Sequence, residues 1–300
     1  MLLKELINRG IETISSAYPE REAREMVLSY LEDTIGTKRH THIIDPGYIV
    51  PDMQADDCIA AFTRMAACEP LQYVTGYADF YGRRFRVTPD VLIPRPETEI
   101  LCREVLLRNE TFRNVGISQS HTTVLDLCTG SGCIAWTLAL EMLGAKVTGV
   151  DISDGALGVA SSQDFSDEIS HTGAIAPHFV KADVLAGPEA FSECGHLSQY
   201  DILVSNPPYV MDKEKALMRT NVLDHEPHLA LFVPDNDPLI FYRALVSWAL
   251  AYLKPGGYGI VEINETLGPE TADLFISAGF RNVKLITDLT DRHRFVSFCR

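Results

Sequence analysis

The residues best suited to chemistry are Ser205-Asn206-Pro207-Pro208-Tyr209, directly behind the apolar run Asp201-Ile-Leu-Val204. The two prolines fix φ and donate no backbone hydrogen bond, and Pro207 drives Asn206 out of the helical region. The result is a stiff corner that holds a carboxamide and an aromatic ring in fixed places. Asn206 offers a carbonyl acceptor, and the main-chain carbonyl of residue 206 or 207 is left free as a second. Two fixed acceptors match the two N–H groups of a planar amino group, on which Tyr209 can stack. An amide nitrogen is a poor nucleophile because its lone pair is delocalised. Aligning it with an electrophilic carbon is worth up to about 7–11 kcal/mol at the limit. The same acceptors stabilise the positive charge that grows on nitrogen during attack. That step requires neither a strong base nor a metal. Asn-Pro alone would read as a capped turn. The four residues in this order, behind a buried strand and some 75 positions after a glycine loop, read as a site.

That loop is Asp126-Leu127-Cys128-Thr129-Gly130-Ser131-Gly132, where one apolar run ends and a helical pattern begins. Gly130 and Gly132 let the backbone turn tightly and approach a ligand. The unpaired N–H groups of the new helix face the same point. Asp151 ends the next strand, 19 positions beyond Gly132, where a carboxylate can accept from both hydroxyls of a ribose. Lys181-Ala182-Asp183-Val184 ends a third strand and offers Val184 as a wall for adenine, with Asp183 as a polar contact. Together these features ask for a nucleoside-containing cofactor. Gly130-x-Gly132-x-x-Ala135 also fits the dinucleotide fingerprint, so the loop alone leaves NAD chemistry open. Asp183 reads equally well as an exposed strand-end residue.

These residues need a scaffold, and the chain supplies one. From residue 122 onward, strands alternate with helices: strands at 124–127, 147–150, 179–181, 201–205 and 258–263, helices at 134–143, 154–164, 238–252 and 268–278, then two closing strands near 282–287 and 294–299. The alternation predicts an α/β fold with a mostly parallel sheet covered on both faces. Ligands in such sheets sit at the carboxyl ends of the strands, where every motif above falls. Residues 2 to about 70 read instead as a small helical bundle. Ala23, Met26, Val27, Tyr30 and Leu31 fall at helical spacing, as do Cys58, Phe62 and Met65. Phe80, Tyr81, Phe85 and Val87 around Gly82 suit a β-hairpin acting as a connector. The expected division is 1–72 helical, 73–92 hairpin linker and 93–300 catalytic.

Composition narrows the function further. The formal net charge of −15 repels phosphate backbones and lowers the case for direct nucleic-acid binding. No apolar run approaches the roughly 20 residues that span a bilayer. Glu5 and Glu12 interrupt what would otherwise be a leader, so a cytoplasmic protein is expected. Seven cysteines are scattered without a Cys-x-x-Cys pair, which fits unpaired thiols. His225 and His228 flank Glu226-Pro227 with no third ligand in view, so no metal is expected. A monomer is the default.

Asn206-Pro207-Pro208-Tyr209 resembles the signature of amino-methyltransferases. More of the chain resembles the HemK/PrmC-type release factor glutamine methyltransferases. The matching stretches are Glu69-Pro-Leu-Gln-Tyr-Val-Thr-Gly76, Leu92-Ile-Pro-Arg-Pro-Glu-Thr-Glu99, Asp126 to Gly132, Asn206 to Tyr209, and Glu226-Pro227 followed by Leu229-Ala230-Leu231. Order and spacing agree from about residue 69 to the end. The resemblance implies a Rossmann-like class I methyltransferase domain with a seven-stranded sheet, preceded by a helical domain that helps grip the substrate. It implies S-adenosylmethionine at Cys128, Thr129, Gly130, Ser131, Gly132, Asp151, Asp183, Val184 and Asn206. It implies a protein partner, the peptide chain release factors, whose Gly-Gly-Gln glutamine would sit at Asn206, Pro207, Pro208 and Tyr209. Arg95 and Glu97 are candidates for the mouth of that site, although Glu97 also suits a helix N-terminus.

The chain departs from the family pattern at Cys128 and Asn264, where glycine is more common, and no role is assigned to Asn264. The linker from about Phe112 to His121 carries no evident chemistry. Three other readings stay in view: a DNA adenine or cytosine amino-methyltransferase using the same corner, a NAD-dependent oxidoreductase built on the glycine loop, and a binding module without activity. The first would need a basic groove, and the second gives no reason for Asn206 to Tyr209.

Overall fold

The computed structural model describes residues 1–114, 122–192, 199–288 and 290–300. The expected linker therefore lies outside the described residues beyond 114, as does Cys194. The chain divides into two compact units, Met1–Tyr77 with Met218–His225, and Ala78–Leu217 with Glu226–Arg300.

The first unit is helical. Its helices Leu3–Ile14, Glu20–Ile35 and Asp52–Ala66 pack around Leu6, Ile14, Val27, Leu31, Phe62 and Met65, all at most 1% exposed. Gly10 allows this closeness, because a Cβ there would stand 2.7 Å from Phe62 and 2.8 Å from Val27. A short helix, Leu71–Thr75, occupies the start of the segment expected to form the hairpin. The excursion Met218–His225 belongs to this unit despite its distance in sequence. Arg219 Nη1 lies 3.1 Å from Glu22 Oε1, and His225 Nε2 lies 3.2 Å from the Ala67 carbonyl. His225 thus serves as a tether.

In the second unit, β1 (Tyr77–Phe80, from its second residue on) and β2 (Arg83–Arg86) form the hairpin. It is more than the connector expected from sequence. Phe80 and Phe85 are 1% and 0% exposed, meet edge-to-face at 6.0 Å, and share a core with Ile100, Trp136 and Ile134. Two large aromatic side chains need apolar cover, and the catalytic unit supplies it. Arg83 adds ion pairs to Glu141 at 2.8 Å and Glu168 at 2.5 Å. The Gln163 amide nitrogen donates to the carbonyls of Arg86 and Ser131, linking the hairpin to the glycine loop.

The remaining strands are β3 (Thr123–Leu127), β4 (Lys146–Asp151), β5 (His178–Lys181), β6 (Tyr200–Ser205), β7 (Val210–Met211), β8 (Phe232–Val233), β9 (Leu253–Glu262), β10 (Arg281–Thr287) and β11 (His293–Cys299). Seven of them make one sheet in the order β10-β11-β9-β6-β3-β4-β5. The five strands from β9 to β5 run parallel, and β11 is antiparallel to β9 and β10. Successive residues face opposite sides. Val124, Val147, Ile202 and Ile260 meet the helices Thr98–Asn114 and Cys133–Glu141. Leu125, Val150, Leu203 and Val261 meet the helices Ile240–Tyr252 and Gly268–Ser277. Both faces are dry, which is why the central strands read as unbroken apolar runs. Among the described residues, no helix is long and apolar enough to cross a membrane.

Candidate active site

The sheet register assembles the site. Leu127 pairs with Val150 and Ser205, and Ser205 pairs with Val261. The next residue along each strand is Cys128, Asp151, Asn206 and Glu262, so these four stand in one row at the carboxyl edge. A cavity of about 300 Å³ opens there. Cys128, Thr129, Gly130, Ser131, Asp151, Asp183 and Val184 line it from one side, and Asn206, Pro208 and Arg95 from the other.

Gly130 adopts φ 54°, and among the described residues nothing lies within 4 Å of where its Cβ would stand. Its N–H donates to Asp151 Oδ2 at 2.9 Å, while Ser153 N–H donates to Oδ1 at 3.0 Å. Each carboxylate oxygen therefore keeps a lone pair for a ligand hydroxyl. Burial raises the Asp151 pKa, opposed by hydrogen bonds from the backbone of Ser153 and Gly130. Val184 is 4% exposed and backs the cavity, held by the Trp248 indole, which donates to its carbonyl at 3.0 Å. Asp183 accepts from Leu185 N–H and caps that turn. An open glycine turn, a strand-end carboxylate with spare acceptor capacity and an apolar wall suit a nucleoside carrying a small charged group.

Beneath the turn, Thr129 Oγ1 donates to Asp126 Oδ2 at 2.6 Å. Asp126 is fully buried, and burial is the main reason its pKa is pushed up to about 7. Its Oδ1 has no hydrogen-bond partner among the described residues. Cys128 sits at φ 62°, a left-handed conformation that a Cβ disfavours. That accounts for glycine being more common here in the family the sequence resembles. Desolvation holds its thiol well above the usual range, so it stays protonated.

Gly132, expected from sequence among the cofactor residues, stands between the lining residues Ser131 and Cys133. It does not line the cavity. It caps the helix Cys133–Glu141 at φ 78°, and a Cβ there would crowd Ala160, Phe179 and Trp136 at 3.1 Å. Glycine suits both the positive φ and the tight packing behind the loop.

On the acceptor side, Asn206 Nδ2 donates to Thr98 Oγ1 at 3.2 Å. Thr98 Oγ1 donates to Glu262 Oε2 at 2.7 Å, and the Tyr209 hydroxyl donates to Glu262 Oε1 at 3.0 Å. Glu262 is 2% exposed, and burial raises its pKa against the hydrogen bonds from Thr98 and Tyr209. Asn264 Nδ2 donates to the Tyr209 carbonyl at 3.2 Å and fixes the far end of the proline corner. Sequence reasoning assigned no role to Thr98, Glu262 or Asn264. Its expectation for Tyr209 also changes. The ring packs toward the core behind the sheet and the hydroxyl is spent on Glu262, so Tyr209 and Pro207 do not line the cavity.

At the mouth, Arg95 Nη2 lies 2.5 Å from Glu226 Oε1, and Ile93 N–H donates to Glu226 Oε2 at 3.2 Å. Glu226 is 3% exposed. It stitches the segment around Pro94 to the segment around Pro227 and Leu229, and both segments line the cavity. Glu97, expected at the same mouth, is placed differently from Arg95. It is exposed and lines a separate cavity with Arg103, Arg292 and Arg294. Neighbouring positions at a helix start point about 100° apart, so the inward residue is Thr98 and not Glu97. Among the described residues, no group of three His, Cys, Asp or Glu can hold a metal ion.

Two family models match the chain, one described as a methyltransferase domain over residues 118–267 and one as the PrmC N-terminal domain over residues 5–76. A release factor glutamine methyltransferase of Flavobacterium psychrophilum is 33% identical over 99% of this chain and 98% of its own. One of Bacteroides thetaiotaomicron is 36% identical over 95% and 96%. Among solved structures, the hMettl16 catalytic domain covers 81% of each chain at a TM-score of 0.50 and 13% identity, a likeness of fold alone. With relatives this similar over nearly the whole length, the chain belongs to the release factor glutamine methyltransferase family.

Proposed function

We propose that the chain methylates the side-chain amide nitrogen of the Gly-Gly-Gln glutamine in peptide chain release factors, with Asn206 as the residue that grips the nitrogen. The family membership supports the reaction, and one observation supports the assignment of Asn206. Its Nδ2 is spent on Thr98, which leaves Oδ1 as an acceptor beside the cavity. The glutamine amide has two N–H groups. Asn206 Oδ1 takes one, and a main-chain carbonyl of the proline corner takes the other. The nitrogen lone pair is thereby turned toward the cofactor side of the cavity.

The turn Cys128 to Ser131, Asp151, Asp183 and Val184 would hold S-adenosylmethionine. When bound, it supplies a methyl group made electrophilic by a sulfonium. The nitrogen forms its new bond to carbon as the carbon–sulfur bond breaks, leaving a thioether. The nitrogen then sheds one proton to water. Asn206 opposes the charge that grows on nitrogen with its own carbonyl dipole. Arg95, held by Glu226, shapes the mouth. The reading makes this a monomeric cytoplasmic enzyme with a protein substrate and no direct nucleic-acid contact.

The test is mass spectrometry of a release factor incubated with the chain and S-adenosylmethionine. The expected result is the mass of one methyl group on the glutamine-bearing peptide. Methylation of an oligonucleotide in its place would overturn the reading in favour of a DNA amino-methyltransferase.

A further inference from the structure

We propose that Thr98 and Glu262 are positioning residues that decide which way the Asn206 carboxamide faces, through the direction of the hydrogen bonds joining them. The inference rests on the methyl-transfer reading above and adds two residues that this reading does not require.

In this cluster the hydroxyls are the donors and both carboxylate oxygens of Glu262 are acceptors. Glu262 is 2% exposed, and its two oxygens receive the hydroxyls of Thr98 at 2.7 Å and Tyr209 at 3.0 Å. Each hydroxyl has one proton, and both protons are drawn to Glu262. Thr98 Oγ1 therefore shows Asn206 only lone pairs. At 3.2 Å, Asn206 must answer with its NH₂ group. Turning the carboxamide by 180° would set oxygen against oxygen with no proton between them, in surroundings where an unmade hydrogen bond is costly. The Asn206 carbonyl is thus directed away from Thr98, as acceptor for an incoming N–H. The reverse setting would oppose NH₂ to NH₂ and repel the substrate.

The geometry comes from the fold. Residue 262 stands next to residue 206 because Ser205 pairs with Val261. Thr98 reaches both from the first residue of the helix Thr98–Asn114. The Tyr209 hydroxyl occupies the other carboxylate oxygen, and Oε2 takes the Thr98 proton.

The experiment uses the full chain with a release factor and saturating S-adenosylmethionine, comparing T98S, T98V, E262Q and the double variant T98V/E262Q. T98V keeps the shape and removes the hydroxyl. Its kcat is expected to fall by about 10- to 100-fold, less than the roughly 10²–10³ for deleting a group that touches the reacting atoms. KM for the methyl donor should stay within about twofold, and T98S should recover most of the loss. E262Q leaves one acceptor oxygen where the parent has two, so the hydroxyls of Thr98 and Tyr209 can no longer each donate to an oxygen of their own on residue 262, and kcat should fall by no more than in T98V. Because both changes cut one chain, the double variant should be little worse than T98V alone. A T98V kcat within about threefold of the parent, a T98S loss equal to that of T98V, or fully additive losses would overturn the proposal.

A second readout needs no turnover. The Asn206 side-chain NH₂ signals, identified by their absence in N206A, should move in T98V and stay in place in T98S. Unmoved signals in T98V overturn the proposal. If the parent chain methylates no release factor, the functional reading fails, and the resonance experiment still decides the orientation.

Discussion

On one side of the cavity, Cys128, Thr129, Gly130 and Ser131 present main chain from a single turn, backed by Asp151 on the neighbouring strand. On the other side, Asn206 depends on Thr98, 108 positions away, and on Glu262, which Thr98 reaches across 164 positions. A corner made of main-chain groups tolerates changes of side chain, because the N–H and C=O groups survive them. A corner made of side-chain hydrogen bonds in sequence does not, since each link sets the polarity of the next. The two halves of one cavity should therefore respond to mutation in opposite ways: the acceptor half in rate, the cofactor half in stability.

The sharpest break in that comparison is Asn206→Ala. It removes the acceptor that grips the nitrogen, and kcat should fall by about 10²–10³-fold or more. The methyl donor should still bind within about threefold of the parent by calorimetry, because the turn that holds it is untouched. A kcat within tenfold of the parent would show that side-chain geometry does not control the acceptor half.

The cofactor half should answer most strongly at Asp126→Asn. Asp126 has its pKa pushed up to about 7, chiefly by burial, from an ordinary value of 3.8. Below pH of about 4, both the folded and the unfolded chain hold this proton. Between there and about 7, only the folded chain does. Unfolding then releases a proton, so the stability supplied by this group declines as pH rises through that window and levels off above it. A shift of this size corresponds to a few kcal/mol, at about 1.4 kcal/mol per unit. Urea unfolding of parent and variant at several pH values isolates the effect, since every other titrating group is shared. The variant should gain relative to the parent as pH rises from about 4 to 7. A constant difference across that range would sink the prediction.

Glu226 tests the mouth that joins the two halves. Its carboxylate accepts from Arg95 and from Ile93 N–H while 3% exposed. Glu226→Ala should cost about 1.5–3 kcal/mol, the usual range for hydrogen bonds to a charged group. Arg95, with about a third of its side chain exposed, can turn to water and limit the loss. Glu226→Gln keeps the acceptor for Ile93 and should cost less. Equal losses by denaturant unfolding would mean that the charge on Glu226, rather than its hydrogen-bond geometry, holds the mouth.

These contrasts also explain what could be read from sequence. The glycine turn and the proline corner are runs of adjacent residues, so type and spacing sufficed to find them. The alternation of strands and helices placed both at strand ends. Gly132 lies in the same run as Gly130, yet one packs against Trp136 and the other faces open space, a difference set by Ala160 and Phe179 on other elements. Thr98, Glu262 and Asn264 became visible only once β9 was known to lie beside β6, a fact of topology that no local pattern carries. Thr98 carries no charge to mark it, and only the helical phase at this start, set by the fold, turns it rather than its neighbour Glu97 toward Glu262. Glu226 was noticed as part of a matching segment, but its partner Arg95 lies 131 positions earlier.

The smallest effect belongs to Cys128, where the cofactor turn pays for a side chain at φ 62°. A non-glycine residue in this conformation costs roughly 1–2 kcal/mol. Glycine removes that strain but gives the unfolded chain extra freedom worth roughly 0.4–1 kcal/mol. Cys128→Gly should therefore stabilise the chain by up to about 1 kcal/mol, read as a small rise in urea midpoint at unchanged slope. Donor affinity should hardly move, because the main-chain groups of the turn stay where they are. If the variant bound the donor tenfold more weakly, the Cys128 side chain would itself be part of the binding surface. The turn would then depend on a side chain as the acceptor half does, and the contrast between the two would fail.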